Sequence, residues 1–214
     1  MKRSVLYLHG FASSPGGIKV DRLRGRLEPA GIEIHAPDLN VPSFEKLSFE
    51  AMSDLALREG QRYGVAVIVG SSLGSLVALE TVRRGLRRPL ILIAPAIGVA
   101  DLWLSWIGDA DPVTVHHHGR DADANIHRAF FESVARLDVD RDPPPVPVTV
   151  IMGTADESIP FDRVQDLWKR WERSGRLVPG SRMIEISDGD HRLLDHLDRI
   201  ADEIVGVTGS SKTA

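Results

Sequence analysis

The sequence predicts an α/β protein with a predominantly parallel sheet of about six strands and helices on both faces. Three observations carry this expectation. Short, almost continuously apolar runs recur from end to end. Between them lie stretches whose apolar residues repeat at helical spacing. The strand-like runs also lack the apolar–polar alternation of a sheet wetted on one side, so both faces need covering.

The elements follow in order. Residues 4–8 read as the first strand, and Ile18, Leu23 and Leu27 mark one side of the helix after it. Residues 32–36 form the second strand, stopped by Pro37, and Phe44, Leu47, Ala51 and Leu55 recur at helical spacing. Residues 65–69 are the third strand, and residues 75–82 the helix that follows. Residues 89–94 make a fourth strand ended by Pro95, residues 146–152 a fifth and residues 181–187 a sixth. Val164, Leu167, Trp168 and Trp171 form one late helical stripe, and Leu193, Leu197, Ile200 and Ile204 another; both read as core packing. The proline-rich segment 142–147 runs extended into the fifth strand. Residues 1–205 read as one domain, interrupted by an insertion at about 97–141 that is a candidate lid or substrate wall, with 206–214 expected to fray as a small, polar tail.

Composition narrows the function classes. The 214 residues carry a net charge of −4, which supplies no general field for nucleic acid or anionic lipid. The cluster Arg83, Arg84, Arg87 and Arg88 reads as a solvated helix end. The absence of cysteine excludes disulfides, thiolate catalysis and Cys-ligated metal centres. No stretch approaches the roughly 20 apolar residues of a membrane span. The apolar run after Met1-Lys2-Arg3 is too short for a signal peptide's core, so a cytoplasmic protein is expected.

The most informative segment is Gly70-Ser71-Ser72-Leu73-Gly74, set between the third strand and its helix. A serine with glycines two positions away on either side, at a strand-to-helix joint, is a nucleophile elbow. The flanking residues must be small because strand and helix nearly touch, which selects Ser72 over Ser71 and Ser75. A phosphate loop would need Gly-Lys-Ser or Gly-x-Gly-x-x-Gly, and neither is present here. A serine hydroxyl needs a base to take its proton. His191, in the loop after the last strand, is the candidate. Asp156, in the short loop after the fifth strand, is the expected partner of the imidazole, ahead of Glu157, Asp190 and Asp195. The order Ser, Asp, His fits this architecture.

An oxyanion requires donors. The backbone N–H of Leu73, at a helix start, is one; that of Phe11, in the glycine-rich loop after the first strand, is the other. His9 reads as a buried loop support. Within the insertion, Leu102, Trp103, Leu104, Trp106 and Ile107 either line an acyl pocket or pack on the sheet edge. The run His116-His117-His118 lacks metal-site spacing, so no metal is expected.

Together Leu8-His9-Gly10-Phe11, Gly70-Ser71-Ser72-Leu73-Gly74, Gly153-Thr154-Ala155-Asp156 with Ile159-Pro160, and Gly189-Asp190-His191 resemble the α/β-hydrolase superfamily over residues 4–205. The opening Tyr7-Leu8-His9-Gly10-Phe11-Ala12-Ser13-Ser14-Pro15 is similar to small, minimal-size bacterial serine esterases. That resemblance implies hydrolysis of esters or thioesters with modest acyl chains, without a cofactor, and a small-molecule acyl substrate as the partner. Ile159 joins Trp103 and Trp106 as an expected substrate-binding residue. The alternatives are a non-enzymatic ligand sensor on the same scaffold, and an acyltransferase or carbon–carbon bond hydrolase using the same three residues.

Overall fold

The computed structural model describes residues 3–210. Six strands, β1 (Arg3–Leu8), β2 (Ile32–His35), β3 (Val67–Ser71), β4 (Leu90–Ile93), β7 (Val148–Gly153) and β8 (Arg182–Ile186), form one sheet in the order β2-β1-β3-β4-β7-β8. Every pairing is parallel, with Leu8 opposite Gly70 and Gly153 opposite Ile186. Val67, Ile68 and Val69 are all fully buried although their side chains alternate between faces. The sheet is therefore covered on both sides. Helix α1 (Ile18–Leu27) packs with α7 (Leu197–Ser210), and α2 (Phe49–Arg62) packs with α3 (Leu73–Arg83). Helix α6 (Phe161–Arg173) lies against β7, with Val164, Leu167 and Trp171 buried on its apolar side.

Sequence order reverses on either side of the β1–β3 pair. In open parallel sheets, ligands bind beyond the carboxyl ends of the strands at such a switch point. The loops after β1, β3, β7 and β8 all leave from those ends.

The insertion has its own architecture: α4 (Ala100–Ile107), a hairpin of β5 (Val113–His117) and β6 (Ala122–Ile126), and α5 (Arg128–Ala135). The hairpin is tied to the core. The His118 N–H donates to the Ala12 carbonyl at 2.9 Å, and β6 packs on the short 3-10 turn at Phe44–Lys46.

Two sequence expectations need correction. The stretch expected to fray from 206 instead continues helix α7 to Ser210. Thr208 is only 1% exposed and its hydroxyl donates to the Ile204 carbonyl at 2.8 Å. Thr208 extends the Ile200–Ile204 stripe by another four residues, and the small, polar composition around it hides that continuation. Residues 211–214 lie outside the described residues. The arginine cluster is not simply solvated either. The Arg83 guanidinium donates to the Val139 and Asp142 carbonyls, and Arg88 donates to Val65, stitching the end of α3 to neighbouring loops.

Candidate active site

Strand β3 ends in a sharp reversal. Ser72 has φ 52° and ψ −120°, a left-handed conformation that costs a residue with a side chain roughly 1–3 kcal/mol. The backbone holds it there: its N–H donates to the Ile93 carbonyl at 3.0 Å, and its carbonyl accepts from Ser75 at 2.9 Å and Ala96 at 3.2 Å. The flanking glycines are required sterically. A Cβ on Gly70 would fall 2.5 Å from the Gly74 carbonyl oxygen and 2.7 Å from Ser75 Cα. A Cβ on Gly74 would collide with the Leu8 and His9 carbonyls at the end of β1.

The three serines of the segment have separate surroundings. The Ser75 hydroxyl is buried and donates to Gly70 O at 3.0 Å. Ser71 Oγ accepts from Lys19 Nζ at 3.1 Å. Ser72 Oγ lies 3.1 Å from His191 Nε2. His191 Nδ1 in turn lies 2.8 Å from Asp156 Oδ2, and the Asp156 side chain is fully shielded from solvent. The other carboxylate oxygen of Asp156 accepts from the N–H groups of Ser158 at 2.9 Å and Ile159 at 2.8 Å. Its burial is thus compensated at both oxygens.

The loops carrying Asp156 and His191 are stitched to each other. The Ala155 N–H donates to Gly189 O at 3.0 Å, and the Asp188 N–H donates to Thr154 Oγ1 at 2.9 Å. Gly153 allows this approach, since a Cβ there would come within 2.6 Å of the Gly189 carbonyl carbon. The rival acids lie elsewhere in the network. Asp190 Oδ1 accepts from the Leu193 N–H at 2.7 Å, Glu157 is exposed, and Asp195 stands exposed in the Leu194–His196 turn.

The loop after β1 passes directly beneath the hydroxyl: a Cβ on Gly10 would sit 3.2 Å from Ser72 Cβ. His9, 2% exposed, anchors that loop. Its Nε2 accepts from the Leu39 N–H at 2.9 Å, which leaves Nδ1 to donate to Gly10 O at 2.9 Å. The Phe11 ring is gripped by Phe44, Trp103, Phe130 and Phe131, with centroids 5.7–6.1 Å away. Helix α3 begins at Leu73, so the N–H of that residue belongs to the first turn, whose donors have no intrahelical acceptor.

A cavity of about 650 Å³ opens at Ser72 and His191. Its walls include Phe11, Leu102, Trp103, Trp106 and Ile159. Trp103 is partly buried against Phe11, while Trp106 stands 63% exposed. Leu104 also packs on the core, and Ile107 is buried. Thr114, His116 and His118 from the hairpin complete another side. Sequence reasoning did not place the hairpin there, although the alternation Val113-Thr114-Val115-His116-His117 carries the signal.

The three histidines diverge. His116 Nδ1 meets Asp123 Oδ1 at 3.2 Å, whereas His117 is buried against the Phe44 ring. His117 Nδ1 accepts from the Gly119 and Arg120 N–H groups, and burial lowers its pKa. Among the described residues, no group of three or more His, Asp or Glu side chains is arranged to hold a metal ion. Nor is any described helix long and apolar enough to cross a membrane.

Comparison with solved structures gives the fold its name. Est1E from Butyrivibrio proteoclasticus, with ferulic acid bound, superposes with a TM-score of 0.76 at 16% identity, over 99% of this chain and 90% of that one. Mouse alpha/beta hydrolase domain-containing protein 10 gives 0.76 at 19% identity, over 98% and 91%. The monoacylglycerol lipase of Paleococcus ferrophilus gives 0.72 at 16% identity, over 98% and 95%. The chain has the α/β-hydrolase fold, as the sequence motifs led us to expect. No curated protein sequence matches it. A family model described as "Uncharacterised protein family (UPF0227)" matches residues 4–200, nearly the whole chain, and the protein belongs to that family.

Proposed function

We propose that this protein is a serine hydrolase of carboxylic esters or thioesters with small to medium acyl groups. One observation carries the reading: His191 lies within hydrogen-bond reach of Ser72 Oγ through Nε2 and of the buried Asp156 carboxylate through Nδ1. Ser72 Oγ attacks the acyl carbon while His191 Nε2 takes its proton. Asp156 holds the Nδ1–H tautomer and stabilises the imidazolium that forms.

The N–H groups of Phe11 and Leu73 hold the oxyanion, each donor contributing roughly 3 kcal/mol of barrier lowering in comparable sites. Collapse breaks the bond to the leaving alcohol or thiol, and His191 returns the proton to it. Water then gives a proton to His191, attacks the acyl-enzyme and releases the acid, regenerating the Ser72 hydroxyl.

The monoacylglycerol lipase among the structural neighbours supports the reaction class. The apolar cavity walls Trp103, Trp106 and Ile159 suit an acyl chain. A hydrolysis screen over ester and thioester acyl lengths, run with wild type and Ser72→Ala, tests the proposal. Turnover confined to the wild type supports it, and turnover that survives the substitution overturns it.

A further inference from the structure

The second cavity at Ser72 has a different character from the first. It occupies about 430 Å³ on the side of β1 and α1, and shares Phe11, Ser72, His118 and His191 with the acyl cavity. Ser72 therefore stands at the junction of two chambers. The walls of the second include Lys19 and Arg192 and no aspartate or glutamate. In a chain with 30 acidic residues against 26 basic ones, a chamber at the reacting centre with two cations in its wall and no carboxylate lining it is not a consequence of composition.

The surrounding contacts sharpen this. Lys19 is partly buried in the first turn of α1, and its ammonium donates to Ser71 Oγ at 3.1 Å, one residue from the nucleophile. Among the described residues, neither Lys19 nor Arg192 forms an ion pair. The nearby acids are engaged elsewhere: Asp156 by His191 and two backbone N–H groups, Asp190 by the Leu193 N–H. An ammonium held by a single neutral hydroxyl in a cavity wall retains donors for an incoming anion.

Resting on the hydrolase reading, we propose that this second chamber is an anion subsite. The substrate is an ester or thioester with one apolar arm and one arm ending in a carboxylate or another oxyanion, held by Lys19 and Arg192. The first chamber, walled by Trp103, Trp106 and Ile159, takes the apolar arm. Hydrolysis at Ser72 then separates an apolar fragment from an anionic one.

The subsite is sensitive to pH. Burial lowers the Lys19 pKa to about 8, with Asp190 and Asp156 opposing the shift and Arg192 adding to it. The other titratable groups facing this chamber are Tyr7, His9, His118 and His191; Tyr7, raised by burial, stays neutral. Preference for an anionic substrate is therefore full only well below pH 8 and is lost as pH rises through about 8 and Lys19 gives up its proton.

The test is initial-rate kinetics on two matched pairs of esters. The first pair, para-hexanoyloxybenzoate and its methyl ester, differs in charge on the leaving group. The second, mono-para-nitrophenyl adipate and para-nitrophenyl hexanoate, differs in charge on the acyl arm. In one pair, the wild type at pH 7 should favour the anionic member about tenfold in kcat/KM. That ratio should fall as pH rises from about 7 to about 9.5, since kcat/KM reports the free enzyme's ionisations. Lys19→Met and Arg192→Gln should each shrink the ratio several-fold, while Lys19→Arg preserves it. The wild-type pH profile keeps the test decisive if Lys19→Met fails to fold. Turnover of the neutral esters with no anionic preference in either pair overturns the subsite alone. A preference unchanged by both pH and Lys19→Met overturns it as well. No turnover of any ester, with no reaction of Ser72 toward a fluorophosphonate, overturns the hydrolase reading beneath it.

Discussion

Replacing Gly74 by alanine should damage stability and catalysis together, through one contact. A methyl at this position would lie 2.7 Å from the His9 carbonyl oxygen and nearer still to that of Leu8. Comfortable contact needs about 3.5 Å, so the nearer Leu8 carbonyl forces α3 and the end of β1 to part by roughly 1.4 Å. Both obstructing atoms belong to the backbone and cannot turn aside as a side chain would. We therefore place the cost near the top of the overpacking range, about 3 kcal/mol. For a chain of this length that is a Tm drop of roughly 6–12 °C.

The same displacement carries the loop bearing Phe11 away from Ser72 and Leu73, and a shift of this size costs up to about 100-fold in rate. Gly25→Ala is the control. Gly25 is exposed within α1 and a Cβ there meets nothing within 4 Å, so this change should stabilise by about 0.4–1 kcal/mol. Thermal unfolding and ester kinetics on the two variants give the answer. If Gly74→Ala matches the wild type in Tm and kcat/KM, the close-approach account of this joint is wrong.

Other predictions follow from the site and its supports. Asp156→Asn should lower kcat about 10⁴-fold with little change in Tm, because Asn keeps an oxygen for the Ser158 and Ile159 N–H groups but favours the wrong His191 tautomer; steady-state kinetics with a melting curve tests both halves. Trp106→Ala should leave the Tm nearly unchanged, since the ring is 63% exposed, and should weaken kcat/KM for medium acyl chains about tenfold more than for acetyl esters; an acyl-length series checks it. His117, whose pKa burial holds below its ordinary 6.5, binds fewer protons folded than unfolded. Stability contributed this way is present above about pH 6.5 and lost as pH falls below it, and Tm measured from about pH 7.5 to 5 should decline less in His117→Asn than in the wild type.

Much of the fold was legible because parallel strands buried on both faces write themselves as apolar runs. Residues 67–69 and 90–93 show this, and the predicted strands agree with the observed ones to within one or two residues at most ends. The candidate site was legible for a different reason. A strained turn tolerates few residue types, so Gly70, Ser72 and Gly74 leave a local mark, and Asp156 and His191 follow from which loops leave the same sheet edge.

The hairpin in the insertion was missed because its second strand, Ala122–Ile126, is mostly exposed and has Ile126 as its one large apolar residue. Its partner's alternating pattern was obscured by the histidine run. Lys19 and Arg192 gave no signal at all. A lysine at the start of an amphipathic helix and an arginine beside a histidine look like solvated charges, and only the tertiary approach of α1 to Ser71 gives them a cavity to line.

The most direct measurement is the mass of the intact protein after exposure to a fluorophosphonate, followed by peptide mapping. We predict a single adduct, located on Ser72, that forms in the wild type, slows by orders of magnitude in His191→Ala and disappears in Ser72→Ala. A folded wild-type protein that acquires no adduct, or acquires it on another serine, would contradict the claim that Ser72 is an activated nucleophile.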